Sequence, residues 1–376
     1  MKEKFDAKGQ VVFIEPTWLT GDTCLFNIDN QITYLTSKAK LSSHRKNFIK
    51  RLEDEGFIIT FDKSKIDSDT VCFTMNDLAI CDYSVDERLY KKIFDNRIFT
   101  SGGEKLNYPY SLTIEEYFNN PFFPAVMKNE LANGGIDKFL IETPEQLEII
   151  KNFYNDYTSD KEIKEALDFS IFQQFIKAPT KFGSYIRILM SASGDVMGAS
   201  LKYSRDASQK KEPKGILERH FLDPNSKYYL ECETMFNYYS DGDKITFTQP
   251  RYSNEKQEIL KLHDIDPTNP SIPSDILEVS ESIAKNCNNE LGIMFGIDFI
   301  FNEIDRKWYY LEVQAFPAIE EWAATKDIRV NKIRSIDDYI KYNVLELEAR
   351  YDALIMYMNK KYLNDQNKTI IYKKDI

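Results

Sequence analysis

The stretch Gly296–Ala318, GIDFIFNEIDRKWYYLEVQAFPA, constrains this chain more than any other, because it sets acidic residues into two otherwise apolar strands. Phe295, Ile297, Phe299 and Phe301 alternate with Gly296, Asp298 and Ile300. After the polar turn NEIDRK, Trp308, Tyr310, Glu312 and Gln314 alternate with Tyr309, Leu311 and Val313. Period-two alternation of this kind reads as a β-hairpin. Folding it about Asp305 sets Asp298 directly opposite Glu312, where like charges repel unless a cation lies between them. Gln314 then shares a face with Glu312, roughly 7 Å further along the strand. An oxygen-only cluster suits Mg2+, which takes one or two carboxylates and completes its shell with substrate phosphates. The plainer alternative is a set of polar positions on the wet face of an ordinary hairpin.

The remainder of the chain narrows the choice. With 376 residues, 42% of them apolar and 25 Phe and 23 Tyr among them, it holds enough material for two or three well-packed domains. A net charge of −11 argues against sequence-independent attraction to nucleic acid or anionic lipid. Five widely spaced cysteines, Cys24, Cys72, Cys81, Cys232 and Cys287, contain no C-x-x-C and suggest buried thiols rather than disulfides or zinc. His44, His220 and His263 stand too far apart in sequence to suggest a metal site or a triad. No signal-peptide core opens the chain and no apolar run approaches a membrane span, so a cytoplasmic protein is expected.

Residues 1–107 read as a small α/β unit with strands at 11–15, 32–36, 57–61 and 70–75 and a helix at 40–55. No G-x-G-x-x-G follows any of these strands, so a dinucleotide site is not indicated. A second unit, 108–178, places strands at 124–128 and 138–142 around a loop containing Asn133, Gly134 and Gly135. Thr143, Pro144 and Gln146 then open a capped helix, and a strand at 169–176 returns. A third unit, 179–334, contains a hairpin of 185–191 and 196–204 turned at Ser193, Gly194 and Asp195. It also holds strands at 228–240 and 245–250, a helix carrying Ile276, Val279, Ile283, Ala284 and Cys287, and the acidic hairpin. Polar segments at 206–220 and 253–275 read as mobile or inserted. A long amphipathic helix and a short TIIYKK strand fill 335–376.

Taken in order, PAVMK, NGGIDKFLI, IFQQFI, YIRILM, GASLKYS, GIDFIF and YYLEVQAFP resemble the ATP-grasp superfamily over roughly 108–322. The resemblance implies an α/β (α+β) ATP-grasp fold, in which an N-terminal α/β pre-ATP domain precedes two α+β subdomains that clasp ATP. Lys128 would meet a nucleotide phosphate, as a buried ammonium requires an anion. Gly134 and Gly135 would bring backbone amides to phosphate. Lys138 is either a further phosphate contact or an exposed strand residue. Gln173, Gln174, Phe175 and Ile176 match the adenine hinge, with Gln174 where the family usually has Glu. No acid follows in KAPTKFGS to bind ribose.

Arg187, in an apolar strand, needs a phosphate or carboxylate of forked geometry. With Lys202 and Arg205 it would stabilise charge developing during phosphoryl transfer; salt bridges to nearby acids are the alternative for the latter two. Asp298, Glu312 and Gln314 match the Mg2+ positions, with Gln in place of the usual Asn. Lys105 is the counterpart of an upstream family lysine, and Glu320, Glu321 and Trp322 are placed to meet an amine.

The implied reaction is ATP-dependent ligation of a carboxylate to an amine, releasing ADP through an acyl phosphate. The expected partners are small-molecule or peptide carboxylates and amines, without nucleic acid or membrane, and a homodimer is left open. The alternatives are an ATP-grasp kinase acting on a hydroxyl, and an ATP-binding regulatory protein with impaired turnover.

Overall fold

The computed structural model describes residues 7, 9–14, 26–28, 31–33, 38–65, 70–73, 107–129, 137–157, 159–180, 183–203, 215–231, 243–248, 252–291, 293–314, 319–330 and 336–363. Its first unit is built from short β-branched runs. β1 (Val11–Ile14) lies between β4 (Ile58–Thr60) and β5 (Val71–Phe73) in a parallel sheet, while β2 (Phe26–Ile28) and β3 (Gln31–Thr33) form a separate antiparallel pair. Parallel neighbours need a crossover, and α1 (Lys38–Asp54) supplies it, burying Phe48, Ile49 and Leu52 with Val12 and Ile14.

The second unit is an antiparallel sheet in the order β6-β9-β7-β8, made of β6 (Ser111–Thr113), β7 (Ala125–Asn129), β8 (Lys138–Ile141) and β9 (Ser170–Gln174). Its helices are α2 (Ile114–Asn119), α3 (Pro144–Asp156) and α4 (Lys161–Asp168). Both α2 and α3 begin with reciprocal capping boxes, Thr113 with Glu116 and Thr143 with Gln146, each satisfying orphan amides. Helix α4 is capped by Asp160 and buries Ile163, Ala166 and Leu167. One face of this sheet carries Ala125, Met127, Phe139, Ile141 and Phe172 into a core with the three helices. The opposite face is left for the cavity described below.

The third unit is a five-stranded antiparallel sheet, β12-β11-β10-β13-β14. Its strands are β10 (Ser184–Ser191), β11 (Val196–Tyr203), β12 (Asp243–Thr246), β13 (Met294–Asn302) and β14 (Lys307–Gln314). Around it lie α6 (Asn254–Leu262), α7 (Ser274–Leu291), α8 (Glu320–Thr325) and α9 (Ile336–Leu363), while α5 (Glu218–Phe221), which follows β11 in sequence, packs on the small sheet. Ile186, Ile188, Phe295, Ile297, Phe299, Trp308 and Tyr310 turn toward α6 and α7. On the other face Leu189, Met197 and Met294 pack with Trp322, Leu354 and Met358 in the core that also contains β1 and α1.

Three expectations change. The stretch 253–275 is not a mobile insert: Ser253 caps α6, Leu260 is buried, and Ile265 joins the large-sheet core. Leu217, Phe221, Tyr228 and Leu230 follow the large sheet in sequence but pack in the small-sheet core, and the strand expected at 228–240 does not begin over its described residues 228–231. The hairpin contains a β-bulge between Asp298 and Phe299 in its pairing with β14. Trp308 and Tyr310 therefore face the core, while Glu312 does not share their face.

The class is α+β with an α/β N-terminal unit, in the element order that the ATP-grasp resemblance implies. No helix among the described residues is long and apolar enough to cross a membrane. Residues 364–376, with the TIIYKK segment, lie outside the described residues.

Candidate functional site

A cavity of about 420 Å³ separates the free face of the small sheet from the large sheet. On the small-sheet side it is lined by Val126, Lys128, Lys138 and Gln173, and on the large-sheet side by Tyr185, Ile300, Leu311 and Glu312. The connecting segment from Gln174 to Thr180 closes its edge. Lys128 and Lys138 are cross-strand partners on β7 and β8, and both are buried. Like charges directly opposite one another repel, so this pairing is suited to an anion that both ammoniums can share.

The segment Gln173–Ile176, expected as an adenine hinge, is partly engaged by the protein itself. The Gln174 amide donates to the Tyr110 carbonyl at 2.7 Å and the Phe175 amide to the Pro124 carbonyl at 3.3 Å. The Gln173 side chain donates to Ser111 Oγ at 3.1 Å. These two amides therefore hold the linker to the small unit. Lys177 accepts the Glu303 amide through its carbonyl at 2.9 Å and pairs with the Glu303 carboxylate at 2.6 Å. This contact fixes the linker to the turn of the β13–β14 hairpin.

Beneath the cavity runs a row of polar side chains on the large sheet. The register pairs Ser200 with Arg187, Arg187 with Asp298, and Asp298 with Glu312, across β11, β10, β13 and β14. Asp298 stands opposite Glu312 as the sequence suggested, although the route differs. The strands pair Asn302 with Lys307 at the turn, and the bulge supplies the one-residue step that brings Glu312 level with Asp298 and turns it to the cavity.

Arg187 donates from Nε and Nη2 to the two Asp298 oxygens at 2.8 and 2.6 Å. Lys202 Nζ lies 3.0 Å from Glu321 Oε1, which also accepts from Ser200 Oγ at 2.7 Å. The guanidinium has thus found a carboxylate, and Lys202 has adopted the salt-bridge alternative. Glu321 was expected to meet an amine; it is instead fully buried as the partner of Lys202 and Ser200. Its other oxygen, Oε2, and Glu320 Oε2 have no hydrogen-bond partner among the described residues.

Burial works against charge throughout this row. It pulls on the Arg187 guanidinium, yet Asp298 holds that group well above its ordinary value. Burial, opposed by Arg187 and reinforced by Glu312, raises the Asp298 carboxyl. Burial also pushes Glu321 upward, but Lys202 and then Arg187 outweigh it and hold the carboxyl below its usual value. Arg187 thus pairs with Asp298 and Lys202 with Glu321, while Glu312 stands beside Asp298 at the cavity wall.

Asp298 and Glu312 fit a hard divalent ion as oxygen donors. Both Asp298 oxygens accept from Arg187 in this arrangement. Among the described residues no group of three His, Cys, Asp or Glu gathers for a metal. The Gln314 backbone pairs with Gly296 at the end of β14.

Of the residues singled out by sequence, Lys128, Lys138, Gln173, Gln174, Phe175, Ile176 and Glu312 line one cavity, and Asp298, Arg187 and Lys202 adjoin it. Gly134, Gly135, Arg205 and Lys105 lie outside the described residues. Sequence reasoning missed Tyr185, Glu303 and Thr180 in the cavity wall. Tyr185 was legible as the neighbour of Arg187 two residues along the same face. The contribution of Glu303 depends on the turn folding back onto Lys177, which no local pattern announces.

No family model matches the chain, and no curated protein matches it. Among solved structures, D-alanine–D-alanine ligase from Bacillus anthracis is similar over 96% of this chain and 100% of its own, with 11% identity and a TM-score of 0.43. The ATP-grasp ligase PsnB complexed with a minimal precursor covers 91% of this chain and 99% of its own, at 10% identity and a TM-score of 0.40. L-amino acid ligase from Bacillus licheniformis covers 90% and 74%, at 12% identity and a TM-score of 0.37. Likenesses at this level assign no reaction to the chain.

Proposed function

We propose that this chain is an ATP-dependent ligase that joins a carboxylate to an amine through an acyl phosphate and releases ADP. The observation carrying the proposal is the placement of Glu312: paired with Asp298 and turned by the bulge into a cavity whose facing wall holds the Lys128–Lys138 pair. An acidic wall opposite a basic one suits a triphosphate bridged by a cation.

In this reading Lys128 and Lys138 bind phosphate oxygens, aided by the amides of Gly134 and Gly135. Gln173, Gln174, Phe175 and Ile176 border the base. Because the Gln174 and Phe175 amides are engaged, backbone N–H donors to the base come from Ile176 onward. Asp298, Glu312 and Gln314 would hold Mg2+, which would neutralise crowded phosphate oxygens. Arg187, Lys202 and Arg205 stabilise charge that develops as the phosphoryl group moves to the substrate carboxylate.

The carboxylate oxygen attacks the terminal phosphorus, the bond to the ADP oxygen breaks, and the amine later displaces phosphate from the acyl carbon. Positioning and electrostatics supply the catalysis, so no protein nucleophile is required. The proposed units are 1–107, 108–178, 179–334 and 335–376, with 215–230 docked on the second, and the compartment is cytoplasmic.

Amine-dependent ADP release with hydroxylamine trapping of the acyl phosphate tests the reaction. ADP release requiring only a hydroxyl acceptor, without a trapped hydroxamate, would assign a kinase instead. Binding of ATP without turnover on a broad panel of acids and amines would assign a regulatory protein.

A further inference from the structure

Asp298 is contested by two neighbours. On one side the Arg187 fork of β10 occupies both of its oxygens, and on the other Glu312 faces it from β14. Arg187 and Asp298 are both buried, with only 4% and 1% of their surface exposed. Water is therefore a poor substitute for either partner, and a guanidinium leaving Asp298 needs another anion with oxygens spaced for a fork. A phosphate meets that requirement. Lys202 is different: its carboxylate partner is Glu321, not an acid of the Asp298–Glu312 pair.

Resting on the nucleotide site proposed above, we infer that Arg187 keeps the divalent-cation site closed until a phosphate arrives. The terminal phosphate takes the guanidinium from Asp298, and the released carboxylate joins Glu312 in holding the cation. Arg187 exchanges a carboxylate for a phosphate as Asp298 exchanges a guanidinium for a metal ion, so neither buried charge is left without a partner. Metal and nucleotide consequently bind as a unit, and the protein alone holds the cation weakly. Arg187 is then a positioning residue for the metal site before it contacts substrate.

The test is titration of nucleotide-free protein with Mn2+ alone, followed by electron paramagnetic resonance, for wild type, Arg187→Gln and Lys202→Gln. Both substitutions remove one positive charge near the same acids, but only the first frees Asp298. Arg187→Gln is expected to tighten Mn2+ binding by about tenfold or more. Lys202→Gln should change it by less than about threefold.

Equal gains in the two variants, or no gain in Arg187→Gln, would overturn the inference. Should Arg187→Gln fail to fold, Arg187→Lys retains the charge but loses the fork; it is expected to tighten Mn2+ binding, and wild-type affinity would overturn the inference. Wild-type protein is titrated in parallel with a non-hydrolysable ATP analogue and Mn2+. Absence of analogue binding overturns the nucleotide site and this inference together, whereas analogue binding without the Arg187 effect overturns this inference alone.

Discussion

His263 offers a stability measurement whose sign and size follow from its surroundings. The ring is fully buried at the C-terminal end of α6. Nδ1 lies 2.7 Å from the Ile259 carbonyl, which can only accept, so Nδ1 carries the proton and Nε2 accepts from the Ser184 hydroxyl at 2.5 Å. Burial lowers the ring from its ordinary 6.5 to about 4; Arg306 adds to this, while the Ile259 carbonyl and Asp264 oppose it. The folded protein thus refuses a proton that the unfolded chain accepts. Stability is complete above pH 6.5 and is lost as pH falls from 6.5 to about 4.

The loss from this group is roughly 2 kcal/mol at pH 5 and roughly 3 kcal/mol at pH 4 and below, a large share of a typical folding free energy. Urea unfolding of wild type and His263→Gln, followed by circular dichroism at pH 7.5 and 5, isolates this group from the carboxylates common to both proteins. The variant cannot titrate at this position. The stability difference between the two should therefore shift against wild type by roughly 2 kcal/mol at the lower pH. A difference that does not change with pH would refute the reasoning.

Other substitutions test the site directly. Glu312→Ala should abolish nucleotide turnover without unfolding the hairpin, since it removes one of two opposed acids; circular dichroism and ADP release report the two effects, and near-normal turnover would contradict the assignment. Lys128→Met or Lys138→Met should weaken ATP binding about 10- to 100-fold by calorimetry, and unchanged affinity would remove the basic wall from the account. Gly198→Ala would place a Cβ 2.3 Å from the Glu321 carbonyl oxygen, so α8 must move off β11. A loss of about 1–3 kcal/mol is expected, and an unchanged Tm would show that the contact yields freely.

Much of the site was legible because its chemistry coincides with strand periodicity. Asp298 and Glu312 interrupt apolar alternation, and Arg187 does the same in YIRILM, so their residue types already demanded partners. The identity of those partners was not legible. The Arg187–Asp298 fork links strands separated by 111 residues, and its choice over a phosphate depends on sheet order.

Unbroken alternation along the hairpin groups Trp308, Tyr310 and Glu312 on one face. One bulged residue reverses the face of Glu312 relative to the aromatics, and no turn residue marks its position. Helix α4, only eight residues long, is encoded by Asp160 and the stripe of Ile163, Ala166 and Leu167. The Lys- and Pro-rich composition of 253–275 concealed a helix whose burial rests chiefly on Leu260, followed by Ile265 in the loop.

The central claim is that a cation between Asp298 and Glu312 bridges to a triphosphate held by Lys128 and Lys138. A crystal structure with Mn2+ and a non-hydrolysable ATP analogue, with anomalous difference density at the manganese edge, tests it most directly. A peak coordinated by both carboxylates, with the phosphates reaching both lysines, is the predicted result. Nucleotide bound away from this cavity, or manganese bound without either carboxylate, would contradict it.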